Sequence, residues 1–130
     1  MKTIFLFITG IFCCSAAIAQ DWIIATVSKS SQVWYIKSEY VSKQDSIIKL
    51  WVKVDMPTVK FKNDEYPNAQ EKILFNFDCA NKRTQTVSYA LYDNSGNLID
   101  NQSFGYQPYV DVVPDSIMED IIKKVCEKFK

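Results

Sequence analysis

The side chains able to do chemistry in this chain are few, and what is missing narrows the field first. No histidine occurs in the 130 residues. That removes Ser-His-Asp and Cys-His nucleophiles, imidazole acid-base catalysis and the usual zinc ligand sets. Three glycines are too few for a Gly-rich phosphate cradle. Carboxylates remain: Asp64 with Glu65, Asp111 with Asp115 around Pro114, and Glu119 with Asp120. A glycosidase-like pair needs two carboxyl groups about 5 to 9.5 Å apart in a cleft. Two of the pairs have plainer roles: Glu119 as a helix cap, Asp120 as the helix-spaced partner of Lys124, and Asp64-Glu65 as solvated surface. The expectation is no catalytic residue, no metal site and no cofactor.

The cysteines carry the other reactive groups, and their number depends on the N-terminus. Lys2, the apolar run Ile4 to Cys14 and the small residues Ala17-Ile18-Ala19 form the pattern of a secretory leader over residues 1–19, cleaved before Gln20. The run is about half of the roughly 20 apolar residues that a membrane span needs. Neither Cys13, after Phe12, nor Cys14, after Cys13, follows the small residue of a lipidation signal. Cleavage removes both and leaves Cys79 and Cys126. In an oxidising compartment such a pair is expected to be a disulfide. Without Lys2 there are 14 basic and 15 acidic residues, a formal net charge of −1, so the basic excess of a phosphate-binding domain is absent and no nucleic-acid partner is expected.

Aromatics make up 14% of the chain, enough that most must be core. Trp51 is the exception, because alternation puts it with Lys49 and Lys53 on the wetter side of a strand. An exposed Trp between lysines suits a binding hot spot, and it suits equally a place beneath a loop or a partner subunit. The candidate binding surface is Trp51, Lys49 and Lys53 with Tyr66, Lys72, Lys82 and Arg83. The same scattered cations also read as solubilising charge.

Strands must position these residues. Ile48, Leu50, Val52, Val54 and Met56 alternate with Lys49, Trp51, Lys53 and Asp55, the period-two mark of a strand with one covered face. Ile73 to Cys79 and Arg83 to Asp93 continue the pattern. Asp93-Asn94-Ser95-Gly96-Asn97 predicts a hairpin into Leu98 to Phe104, and Trp22 to Ser28 with Val33 to Lys37 predicts an earlier one. Pro57 to Ala69, with two prolines and several turn formers, reads as a long irregular loop and a second candidate contact surface. From Ser116 the period changes: Ile117, Met118, Ile121, Ile122, Val125, Cys126 and Phe129 form one apolar helical stripe. Ser116 and Glu119 match a capping box. This helix can cover the sheet's apolar face, with Cys126 on its stripe and Cys79 on the apolar side of its strand. One domain, residues 20–130, suffices.

Trp22, Val33-Trp34-Tyr35-Ile36, Leu50-Trp51-Val52-Lys53, Phe77-Asp78-Cys79-Ala80-Asn81, Tyr89, Tyr92, Val113-Pro114-Asp115-Ser116 and Val125-Cys126 together resemble the surface-adhesin protein E family over nearly the whole mature chain. The resemblance implies an α+β fold: a mainly antiparallel sheet of about six strands, the C-terminal amphipathic helix packed on one face, and one disulfide. It also implies attachment to matrix and serum proteins, in some members as dimers. Adhesive members are similar in carrying a basic stretch before the first family cysteine, whereas Asn63-Asp64-Glu65-Tyr66-Pro67 here is acidic. The reading is a non-enzymatic exported module, periplasmic, outer-membrane associated or secreted. It binds an extracellular or envelope protein through the long loop and the exposed sheet face; the alternative is a structural accessory or homodimer subunit of an envelope assembly.

Overall fold

A computed structural model describes residues 21–130; the predicted leader and its cleavage point lie outside the described residues. Its elements are β1 (Trp22–Val27), β2 (Val33–Lys37), β3 (Ser42–Gln44), β4 (Ile47–Phe61), β5 (Asp64–Asp78), β6 (Arg83–Tyr92), β7 (Leu98–Ser103), β8 (Val110–Asp111) and α1 (Ile117–Lys128). All pair antiparallel in one sheet of order β1-β2-β4-β5-β6-β7, with β3 on β4 and β8 on β6. The strands number eight rather than about six. The two additions are three and two residues long, too short for an alternating pattern to register.

The expected long loop is a correction of another kind. Pro57 to Ala69 is not irregular, because the β4–β5 ladder runs through it, pairing Met56 with Ala69, Thr58 with Pro67, Val59 with Tyr66 and Phe61 with Asp64. Both strands are 15 residues long, and the connection shrinks to Lys62-Asn63, with Lys62 at φ +57°. The prolines misled because proline normally ends a central strand. Here β2 pairs with β4 only at Val52 to Val54 and β6 reaches β5 only as far as Gln70, so the distal hairpin is a two-stranded ribbon with free outer edges. On a free edge a nitrogen facing away from its partner has no ladder bond to lose.

Alternation builds the core. Ile48, Leu50 and Val52 of β4 are buried with Ile36 of β2 and Phe75 and Phe77 of β5, and Ile121, Ile122 and Val125 of α1 belong to the same cluster. Full burial of each such side chain contributes about 1.5–3 kcal/mol. The helix begins where its sequence places it: Ser116 is the N-cap, and its hydroxyl accepts from the Glu119 N–H at 3.2 Å. The Glu119 carboxylate accepts from the Asp115 N–H at 3.4 Å. Asp120 accepts from the Thr26 hydroxyl of β1 at 3.2 Å, and no ion pair joins it to Lys124 among the described residues.

Cys79, just past β5, is bonded to Cys126 of α1, 47 residues on, with Cα atoms 5.8 Å apart. The turn beside it is organised by buried Asp78. Its carboxylate accepts from the Asn81 side chain at 3.0 Å, the Asn81 N–H at 3.2 Å and the Arg83 guanidinium at 2.9 Å. The Asn81 and Arg83 bonds outweigh burial and hold the Asp78 carboxyl below its usual range. A group depressed in this way stabilises the fold above the ordinary carboxylate range and loses that contribution as pH falls through its lowered pKa.

Two outcomes are expected. Replacing both Cys79 and Cys126 with alanine lowers the unfolding free energy by about 4 kcal/mol on loop-closure grounds, measured by urea denaturation; a loss below about 1 kcal/mol would show that packing alone seats the helix. Asp78→Asn is less stable than the parent by about 1–3 kcal/mol at neutral pH, and the gap closes in acid as the parent's carboxylate protonates. A gap independent of pH would mean that the carboxylate charge does not hold the turn.

Candidate functional site

The β4 residues that alternate with the core point to the opposite sheet face, and strand register decides what joins them there. Across β4 and β5, Trp51 lies opposite Leu74 and Lys53 opposite Lys72. Tyr35 of β2 lies opposite Lys53, Trp22 of β1 opposite Lys37 of β2, and β6 places Ala90 beside Lys72 and Tyr92 beside Gln70. Aromatic and basic side chains from five strands thus meet on one patch.

Trp22 is its hub. The ammonium nitrogens of Lys37, Lys53 and Lys72 lie 4.9, 5.1 and 5.7 Å from its ring centroid. Lys53 is also 4.5 Å from the Tyr35 ring and Lys72 4.5 Å from the Tyr92 ring. These distances are within cation–π range. Carboxylates are sparse: Asp21 approaches Lys37 at 3.9 Å, and among the described residues neither Lys53 nor Lys72 has an ion pair. Asp55 accepts from the Gln70 amide at 3.2 Å, and burial together with this carboxylate pushes the Tyr35 hydroxyl upward. Burial, then Lys53, then Lys37 hold the Lys72 ammonium below its ordinary 10.5. Like charges directly opposite across strands destabilise a sheet, so the rings offset a repulsion that the fold itself sets up. The patch holds no acid-base pair and no nucleophile with a base. Cations and ring faces side by side are groups that can hold anions and flat apolar surfaces.

Of the sequence-predicted residues, Trp51, Lys53 and Lys72 come together, and Lys49 stands one alternation further along the same face, opposite Asn76. Tyr66 does not join them; it lies opposite Val59 on the distal ribbon. Lys82 sits at the β5–β6 turn, lining a hollow beside the disulfide with Glu119, Lys123 and Glu127, where charge of both signs is present. Arg83 is engaged by Asp78 at 2.9 Å and lies 5.3 Å from the Tyr109 ring. Trp22, Tyr35, Lys37 and Tyr92 were not anticipated. Alternation within Val33 to Lys37 separates Tyr35 and Lys37 from Trp34 and Ile36, but only interstrand register says which of these sets shares a face with Trp51.

Together these features define a disulfide-tied, single-sheet α+β domain with a cationic and aromatic patch on the sheet face opposite its core. The chain belongs to the surface-adhesin protein E family, whose sequence pattern matches residues 22–127. The crystal structure of protein E from non-typeable Haemophilus influenzae is similar, with a TM-score of 0.51 and 14% identity, covering 83% of this chain and 76% of that one. At that identity the likeness is one of fold. No curated protein sequence matches significantly. No helix among the described residues is long and apolar enough to cross a membrane.

The Lys72 ammonium is expected to titrate below the exposed lysines in an NMR pH series, and Lys53→Met is expected to move it upward by removing the nearer repulsive charge. Between the folded and ordinary values the unfolded chain binds more protons, so this residue's contribution to stability rises with pH across that window. Coincident titration of all lysines would contradict the cluster.

Proposed function

We propose that the chain is a non-enzymatic, exported, surface-adhesin-like module that binds an anionic extracellular or envelope macromolecule through the sheet face around Trp51, Lys53 and Lys72. One observation carries the reading: three ammonium groups gathered on the Trp22 ring, two of them directly opposite across β4 and β5, with a single ion pair among the three, from Lys37 to Asp21. Such crowding weakens the isolated fold and is relieved when a partner supplies negative charge. Family membership supports a surface protein, and a disulfide suits an oxidising compartment, whether periplasmic, outer-membrane associated or secreted.

A homodimer or envelope accessory that covers the same face with its own copy is disfavoured by charge, since a twofold axis there would stack one lysine cluster on the other. The distal β4–β5 ribbon takes the place of the expected contact loop. Its Asp64 and Glu65 balance Lys60 and Lys62, with Glu65 meeting Lys60 at 3.4 Å, so an anionic partner is directed to the sheet face instead.

The test measures capture of the oxidised mature domain on immobilised extracellular-matrix and envelope preparations. Trp51→Ala and Lys53→Met are expected to lose capture while the fold survives, with stability changed by no more than about 1–2 kcal/mol for a partly exposed residue. Tyr66→Ala is expected to bind as the parent does. Full capture by the Trp51 and Lys53 variants, or loss with Tyr66→Ala alone, would move the contact surface to the ribbon.

A further inference from the structure

Negative charge alone does not describe what fits this face. The patch spans β1, β2, β4, β5 and β6, and its centre lies on strands whose neighbours on both sides are already paired. There it presents side chains and no free strand edge, the element that extended peptides use to gain main-chain hydrogen bonds; the open edge of the sheet on this side is that of β1, which carries Trp22 at the margin of the patch. Its charged groups are dominated by donors, the ammonium groups of Lys37, Lys53 and Lys72. The nearby acceptors, Asp21 and Asp55, are engaged with Lys37 and Gln70. Between the donors a shallow depression is lined by Trp22, Lys37, Trp51, Lys72, Ala90 and Tyr92, so aromatic surface and charge alternate over a short distance.

A complementary ligand is rich in acceptors, carries repeated negative charges and offers flat C–H faces between them. An acidic polysaccharide has all three properties. An acidic peptide has the charges but, lying over the lysines of β4 and β5, would forgo backbone pairing. Nucleic acid calls for a broad basic excess, and the chain without its leader has a formal net charge of −1.

We propose that this patch is a binding site for an acidic polysaccharide, with carboxylate or sulfate groups held among Lys37, Lys53 and Lys72 and sugar rings laid against Trp51 and Tyr92. The assignment rests on the sheet-face reading above and names the chemistry of its partner.

The experiment titrates the oxidised mature domain, followed by tryptophan fluorescence and calorimetry, with heparin, polygalacturonate, neutral dextran, poly-L-glutamate and single-stranded DNA. Heparin or polygalacturonate is expected to bind, more weakly as salt rises, and dextran is not; since heparin carries sulfate and carboxylate and polygalacturonate carboxylate alone, equal binding of the two shows that carboxylate suffices. Lys53→Met with Lys72→Met is expected to weaken binding about tenfold, the loss of two ion pairs of mid-range strength. Methionine keeps the apolar stems, and an unchanged or raised melting temperature shows the variant folded. Equal binding of dextran overturns the proposal because charge is then not read. Tighter binding of poly-L-glutamate or single-stranded DNA overturns it in favour of an acidic protein or a nucleic acid, while leaving the sheet face as the contact surface. Binding of none of the polymers, with capture still lost in Trp51→Ala, overturns the polysaccharide assignment alone; if capture also survives in Trp51→Ala, the sheet-face reading falls with it.

Discussion

The register of the β4–β5 hairpin is the constraint on which the rest depends. Fourteen residue pairs from Ile47–Asp78 to Phe61–Asp64 lock the two longest strands, and because side chains alternate, a slip of one residue would exchange the faces. If β4 slipped, Ile48, Leu50 and Val52 would meet water and Trp51 and Lys53 would enter the core. Burial of three aliphatic residues on one side excludes that slip energetically. The same pairing that forms the core therefore places two lysines opposite each other on the outer face.

A second constraint closes the structure at the end where β5 stops. Asp78 and Cys79 are consecutive, and alternation sends them in different directions: the carboxylate gathers Asn81 and Arg83 into the turn, while the sulfur meets Cys126 of α1. The covalent tie holds the helix and the charged turn fixes the end of β5; neither uses Trp22, Lys37, Lys53 or Lys72.

The outer patch sets a repulsion against ring contacts. Lys53 opposite Lys72 is an unfavourable cross-strand pair, softened by the Trp22, Tyr35 and Tyr92 rings rather than by carboxylates. A sheet selected only to fold would place an acid or a threonine at one of these positions. Arg83, by contrast, is paired with Asp78 and works within the fold. The two kinds of cation look alike in composition and differ only in what surrounds them.

Much of this was legible in the residues alone. Alternation located β4, β6 and the core face, the turn formers of Asp93 to Asn97 located the β6–β7 hairpin, and the three-and-four spacing after Ser116 located α1, because each is a local rule of backbone geometry. Proline between Pro57 and Pro67 misdirected the same reading, since a local rule cannot tell a central strand from a ribbon with free edges. Trp51 and Lys53 were visible as an anomaly within one strand. That Trp22, Tyr35, Lys37, Lys72 and Tyr92 surround them was decided by tertiary structure, because cross-strand neighbours are set by register over separations of up to about 70 residues, and period alone assigns a residue to a face without saying whose face it shares.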